Sequence, residues 1–128
     1  MEIRELSFQY GKKEVLKSVS TRIEKGRITT ILGPNGCGKS TLFNLMTKNL
    51  KPLKGEVYLD NRNIRHIRLR DFARRVAIVH QYNSAPNDVT VKDLVAYGRT
   101  PYSSFYRQNS REDIQAVDWA MRITDVYK

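Results

Sequence analysis

Gly33-Pro34-Asn35-Gly36-Cys37-Gly38-Lys39-Ser40 places glycine, lysine and a hydroxyl at the spacing G-x-x-x-x-G-K-[ST]. Each residue type has a chemical use at its place. Gly33, Gly36 and Gly38 let the backbone take positive φ and come close to a ligand. Successive N–H groups then face inward as an anion-binding nest. A helix starting at Lys39 adds the partial positive charge of its N-terminus. Lys39 is placed to reach the outer phosphates of a nucleotide. Ser40 offers the hard oxygen that Mg²⁺ accepts beside phosphates and water. Cys37 lies inside the loop; it is either a thiol made reactive by the helix N-terminus or an inert small residue at a variable position.

Such a loop needs a buried strand before it and a helix after it. Arg27–Leu32, short, β-branched and apolar, predicts the strand. Leu42, Phe43, Leu45, Met46 and Leu50 predict one apolar helix face, ended by Pro52. Further strands are predicted near the N-terminus (Ile3, Leu6, Phe8, Tyr10), around Val19–Ile23 before the turn Glu24-Lys25-Gly26, and over Gly55–Asp60 before the turn Asn61-Arg62-Asn63. Leu69–Arg75 reads as a short helix and Val76–His80 as a buried strand. Thr90 and Ser110 each stand three residues before an aspartate, Asp93 and Asp113, which predicts two capped helix starts. The first helix would bury Val91, Leu94 and Val95 and end near Gly98; the second carries Ile114, Val117, Met121 and Thr124 on one face.

The 128 residues are 40% hydrophobic and 28% charged, an ordinary globular balance. No apolar run approaches the roughly 20 residues that span a bilayer. Acidic residues from Glu2 onward give no signal-peptide pattern, and the single Cys37 allows no intrachain disulfide, so a cytoplasmic setting is expected. The net charge is +10. The basic residues, such as Arg62, Arg65, Arg68, Arg70, Arg74, Arg75, Arg99, Arg107 and Arg111, are scattered without an aromatic–basic stripe. They read as a solvated surface, and no nucleic acid is expected as a partner.

The loop GPNGCGKSTL resembles the Walker A motif of ATP-binding cassette (ABC) ATPases. Phe8-Gln9-Tyr10-Gly11 resembles their A-loop, which would make Tyr10 the aromatic that stacks on adenine. Gln81, 42 residues beyond Lys39, resembles the Q-loop glutamine that contacts Mg²⁺ and the attacking water. LKPLKGEVYLDNRNI is similar to the hairpin after the family's P-loop helix, and LRDFARRVAIVHQ to the segment leading into the Q-loop. His80 departs from the proline that commonly precedes that glutamine. The stretch Val95–Tyr102 and the helix from Asp113 to Thr124 resemble the ATPases of importers for iron chelates: siderophores, haem and cobalamin.

The resemblance implies an α/β P-loop NTPase fold: an antiparallel β subdomain, a strand–P-loop–helix core through about residue 87, and the start of a helical subdomain from about residue 88 to residue 128. It implies an ATP site of Tyr10, Gly33, Pro34, Asn35, Gly36, Cys37, Gly38, Lys39, Ser40 and Thr41, with Lys39 and Gln81 catalytic and Ser40 and Gln81 on Mg²⁺. The implied partners are membrane-spanning permease subunits and a second ATPase subunit arranged head to tail, on the cytoplasmic face of the membrane.

The family also uses an LSGGQ signature, a Walker B strand ending in Asp-Glu and a switch histidine. The 128 residues contain no Gly-Gly pair and no glycine after Gly98, and Val57-Tyr58-Leu59-Asp60 lies too early for Walker B and reads as a hairpin strand. Lys128 falls in a helical pattern without a cap. The expectation is a chain cut before these motifs, binding ATP but hydrolysing it slowly, with unpaired strand edges prone to aggregate. Two alternatives stay open: a non-hydrolytic ATP-binding fragment from a truncated gene, and a non-transport cassette acting on nucleic acid or ribosomes.

Overall fold

Ile3 and Leu6, three apart on one strand, and Leu16 on the next are buried, although strict alternation would not put Ile3 and Leu6 on one face. Local breaks in the ladder explain this. The structure, a computed structural model, describes residues 1–81, 84, 88–102 and 110–126. The chain divides into two units, Met1–Phe72 and Ala73–Lys128.

In the first unit, β1 (Glu2–Tyr10) and β2 (Lys13–Arg22) form an antiparallel hairpin with Tyr10 opposite Lys13. The register shifts along it, and Glu5 and Ser18 take positive φ (48° and 45°) where it does. Their backbone N–H groups are not lost: Glu5 donates to Ser20 Oγ and Ser18 donates to Ser7 Oγ. β3 (Lys54–Leu59) pairs with the other edge of β1, and β4 (Arg62–Asn63) extends the sheet to the order β2-β1-β3-β4. A second irregularity lies between Arg4 and Ser7 on β1, opposite Gly55 (φ 82°). A Cβ at Gly55 would lie 2.3 Å from the Glu5 carbonyl oxygen, so only glycine fits this approach.

The helix α1 (Lys39–Met46) follows the glycine loop and buries Thr41, Leu42, Leu45 and Met46. Ile64 and Ile67, around the short 3₁₀ turn Ile64–His66, and Phe72 of α2 (Leu69–Ala73) complete the buried apolar set of this unit with Val57. In the second unit, α3 (Val91–Tyr97) and α4 (Arg111–Ile123) contact each other. Thr90 accepts from Asp93 N–H and Ser110 from Asp113 N–H, as the sequence predicts. Arg99 Nε reaches Asp113 at 2.7 Å and its guanidinium lies 4.1 Å from the Tyr102 ring centroid, tying the end of α3 to the start of α4. Among the described residues no helix is long and apolar enough to cross a membrane.

Several expectations are corrected. Arg27–Leu32 is not a strand: Ile28 is 99% and Leu32 86% exposed. Val76–His80 is not a strand either, and Val79 is 90% exposed. Neither segment pairs with a strand among the described residues, and apolar composition cannot make a strand without a neighbour to hydrogen-bond. The helix after the loop stops at Met46 rather than reaching Leu50, because Lys48 takes φ 66° and Leu50 N–H turns back to Asn44 O. Within α1, Phe43 is exposed while Leu45 is buried. The turn before β4 is Asp60-Asn61, both with positive φ, and Arg62 and Asn63 already pair with Leu59 and Tyr58. Val91 and Leu94 of α3 are exposed, not buried, as is Ile114 of α4, whose covered residues are Val117 and Met121. Finally, α4 closes at Ile123: Asp125 takes φ 53° and Val126 N–H donates to Met121 O. Lys128 and the expected boundary at residue 87 lie outside the described residues.

Candidate phosphate-binding site

Three features of the first unit converge on the start of α1. Gly38 is its N-cap and adopts φ 98°, ψ 6°, a left-handed conformation. It also rests on β2, where an added Cβ would meet Leu16 Cδ2 at 3.0 Å and Val15 Cγ1 at 3.2 Å. Backbone conformation and close approach together demand glycine there. The loop folds on itself next: Cys37 N–H donates to Pro34 O, and a Cβ on Gly33 would sit 2.6 Å from Cys37 Sγ. Gly36 has φ 80°.

The second feature is Lys39. Its ammonium donates to Gly33 O at 2.7 Å and Pro34 O at 2.8 Å, and lies 3.9 Å from Cys37 Sγ. The side chain thus bends back over the loop that precedes it and sets a positive charge within the turn. The third feature is what α1 lacks. No side chain caps its N-terminus and no acidic residue stands in its first turn. The amides that begin a helix have no intrahelical acceptor, so here they remain available to an anion. Ser40 is exposed at this end, whereas Thr41 is buried.

Tyr10, half-exposed, ends β1 and meets Phe8 edge-on, ring centroids 4.9 Å apart. It belongs to the same hairpin whose Val15 and Leu16 support Gly38, so one supersecondary unit carries the aromatic and underpins the loop. Gln81 is exposed and belongs to the second unit. The structure therefore gathers the expected loop residues Gly33, Pro34, Asn35, Gly36, Cys37, Gly38, Lys39, Ser40 and Thr41 within the first unit, with Tyr10, and assigns Gln81 to the other. Sequence reading missed Val15 and Leu16 as supports of the loop. Their only signal was apolar character in a mostly polar strand.

Mg²⁺ is implied by the family, and the donor set fits it. Among the described residues no group of three His, Cys, Asp or Glu side chains gathers to form an all-protein cage. A lone exposed hydroxyl beside phosphate-seeking amides suits an ion that keeps water and phosphate oxygens as most of its ligands.

A glycine-rich turn, an overlying lysine and an uncapped helix are the features of a P-loop. Comparison with known proteins narrows the class. The family described as ABC transporter matches residues 16–128. The ferric enterobactin transport ATP-binding protein of Escherichia coli (strain K12) is 38% identical over 122 residues, covering 95% of this chain and 45% of that protein. The petrobactin import ATP-binding protein of Bacillus subtilis (strain 168) is 44% identical over 103 residues, covering 80% and 41%. Among solved structures, cbiO1 from Clostridium perfringens, part of the ABC transporter complex cbiONQ, superposes with a TM-score of 0.75 at 30% identity. It covers 97% of this chain and 49% of that one. The chain belongs to the ABC transporter family, whose ATPases bind ATP. It spans about half the length of the curated relatives it matches.

Proposed function

We propose that this chain is the N-terminal, ATP-binding part of the ATPase subunit of an ABC importer for iron–siderophore or related iron chelates. The observation that carries the ATP site is the start of α1: an uncapped helix, a left-handed Gly38 seated on β2, and Lys39 bent over the loop. The reading of the cargo rests on the relatives, which are named for ferric enterobactin and petrobactin.

In this reading the N–H groups of Gly36 to Thr41 hold the phosphates, that of Cys37 by giving up its bond to Pro34 O. Lys39 exchanges its contacts to Gly33 O and Pro34 O for the β- and γ-phosphates, a charge-assisted replacement. Tyr10 stacks on adenine. Ser40 and Gln81 would hold Mg²⁺, which supplies charge neutralisation at the phosphates. Gln81 positions the attacking water and links the site to the permease. Binding closes two subunits head to tail against the membrane subunits on the cytoplasmic face, and hydrolysis resets them.

Replacing Lys39 by Ala is expected to abolish MgATP binding in calorimetry while leaving the melting transition in place; unchanged affinity would defeat the site. The 128 residues by themselves should turn ATP over far below the usual enzyme range of about 1–10³ s⁻¹, for want of a general base and a facing signature. A kcat inside that range, with contaminating ATPase excluded by the Lys39→Ala variant, would overturn this.

A further inference from the structure

The opposite end of α1 holds a second concavity, a cleft of about 370 Å³. Its floor is made by Leu45, Val57 and Ile64, all buried side chains of the first unit. Leu50 and Pro52 form an apolar wall. The remaining lining residues are Lys48, Lys51 and Arg65, and among the described residues no acid lines it. The three cations differ. Lys48 is tied down, its ammonium donating to Ile67 O at 2.5 Å and lying 5.6 Å from the Phe72 ring centroid. Lys51 and Arg65 are exposed and have no ion pair among the described residues.

A helix C-terminus ordinarily repels anions through its orphan carbonyls. Here three of those carbonyls are taken: Phe43 O by Thr47 N–H and Oγ1–H, Leu45 O by Lys48 N–H, and Asn44 O by Leu50 N–H. What remains is an apolar floor, two uncompensated cations at the rim and no competing carboxylate. That chemistry suits a ligand with a hydrocarbon body and one negative head. The volume falls in the range of small-molecule pockets, about 300–1,000 Å³.

We propose that this cleft is a second ligand site, separate from the glycine loop, for a small amphipathic carboxylate. The body would lie against Leu50 and Pro52, above the closed floor of Leu45, Val57 and Ile64, and the carboxylate between Lys51 and Arg65. The charges give the ligand its sign, and the half-buried Leu50 and Pro52 supply the apolar surface that it covers, at about 25 cal/mol per Å². The site does not depend on the nucleotide reading, since none of its residues belongs to the loop.

The test is a titration of the full chain, methyl-labelled at Ile, Leu and Val, with octanoate as the probe and octanol as its neutral match. The expected result is saturable shifts at the Leu45, Val57 and Ile64 methyls, at least tenfold weaker with octanol. The doubly reversed variant K51E/R65E should also bind at least tenfold more weakly, at an unchanged melting temperature because both residues are exposed. The shifts should persist in saturating MgATP and in the Lys39→Ala variant. Equal affinity for octanol, undiminished binding by K51E/R65E, shifts that never saturate, or shifts that vanish with MgATP would each overturn the proposal.

Discussion

At the start of α4, Ser110 accepts a hydrogen bond from Asp113 N–H, its own hydroxyl donates to the Asp113 carboxylate, and Glu112 adds a second acid to the first turn. At the start of α1 stand Gly38, Lys39, Ser40 and Thr41, with no cap and no acid. Both helices begin with the same orphan amides. One satisfies its Asp113 N–H from the Ser110 side chain and complements its dipole with carboxylates; the other has no side-chain cap and places a cation at its start. A self-capped end gains helix stability, typically about 1 kcal/mol, and its carboxylates repel an anion. An uncapped end forgoes that stability and keeps its donors. α3, with Thr90 and Asp93, follows α4. The difference teaches that, under the proposed function, the loop would suit an anion by omission as well as by its glycines.

The comparison can be broken by making α1 resemble α4. Ser40→Asp puts a carboxylate into the first turn of α1, and like charges about 4 Å apart repel by about 4 kcal/mol at intermediate dielectric. Triphosphate binding, measured in the absence of divalent metal, should fall by about a hundredfold or more, while Ser40→Ala changes it little. Equal losses in the two variants would mean that charge at this end is not what matters. The converse is milder. Ser110→Ala should destabilise α4 by about 1 kcal/mol in thermal or urea melts and leave ATP affinity untouched; a matching loss of nucleotide binding would erase the distinction between the two helix ends.

The smallest effect concerns pH. The hydrogen bond from Ser110, and then that from Arg99, hold the Asp113 carboxyl below its ordinary value. A carboxylate with a lowered folded pKa contributes stability that is present above the unfolded pKa and lost as pH falls through the folded one. The α3–α4 unit should therefore lose a little stability on acidification below the usual carboxylate range, and Asp113→Asn should flatten that dependence. A slope unaltered by Asp113→Asn would remove Asp113 as its source.

The sequence made the local devices legible. Thr90 and Ser110 were visible as caps because a hydroxyl three residues before an acid is a short-range pattern, and the glycine loop was visible for the same reason. Arg27–Leu32 and Val76–His80 were misread because apolar β-branched composition reports a wish for burial, whereas a strand exists only if another strand lies beside it, and pairing is not a local property. The end of α1 was misplaced because Lys48 in a left-handed conformation has no compositional signal, unlike a glycine. Lys39 could be assigned to phosphate from its spacing, yet nothing in the spacing showed that its ammonium rests on Gly33 O and Pro34 O. Nor could it show that Gly38 needs room for Val15 and Leu16 as well as a positive φ.

Gly55 carries a consequence for how tolerance to change should be mapped onto this protein. It touches no proposed ligand, yet a single added carbon there would collide with the backbone of Glu5 and Arg4 and disturb the seam between β1 and β3. In a saturation library it would be as intolerant as Lys39, but for a reason that abundance assays detect and binding assays do not. Sensitivity at position 55 marks a joint in the framework, and only paired readouts of folding and nucleotide occupancy would keep such a joint from being mistaken for a contact.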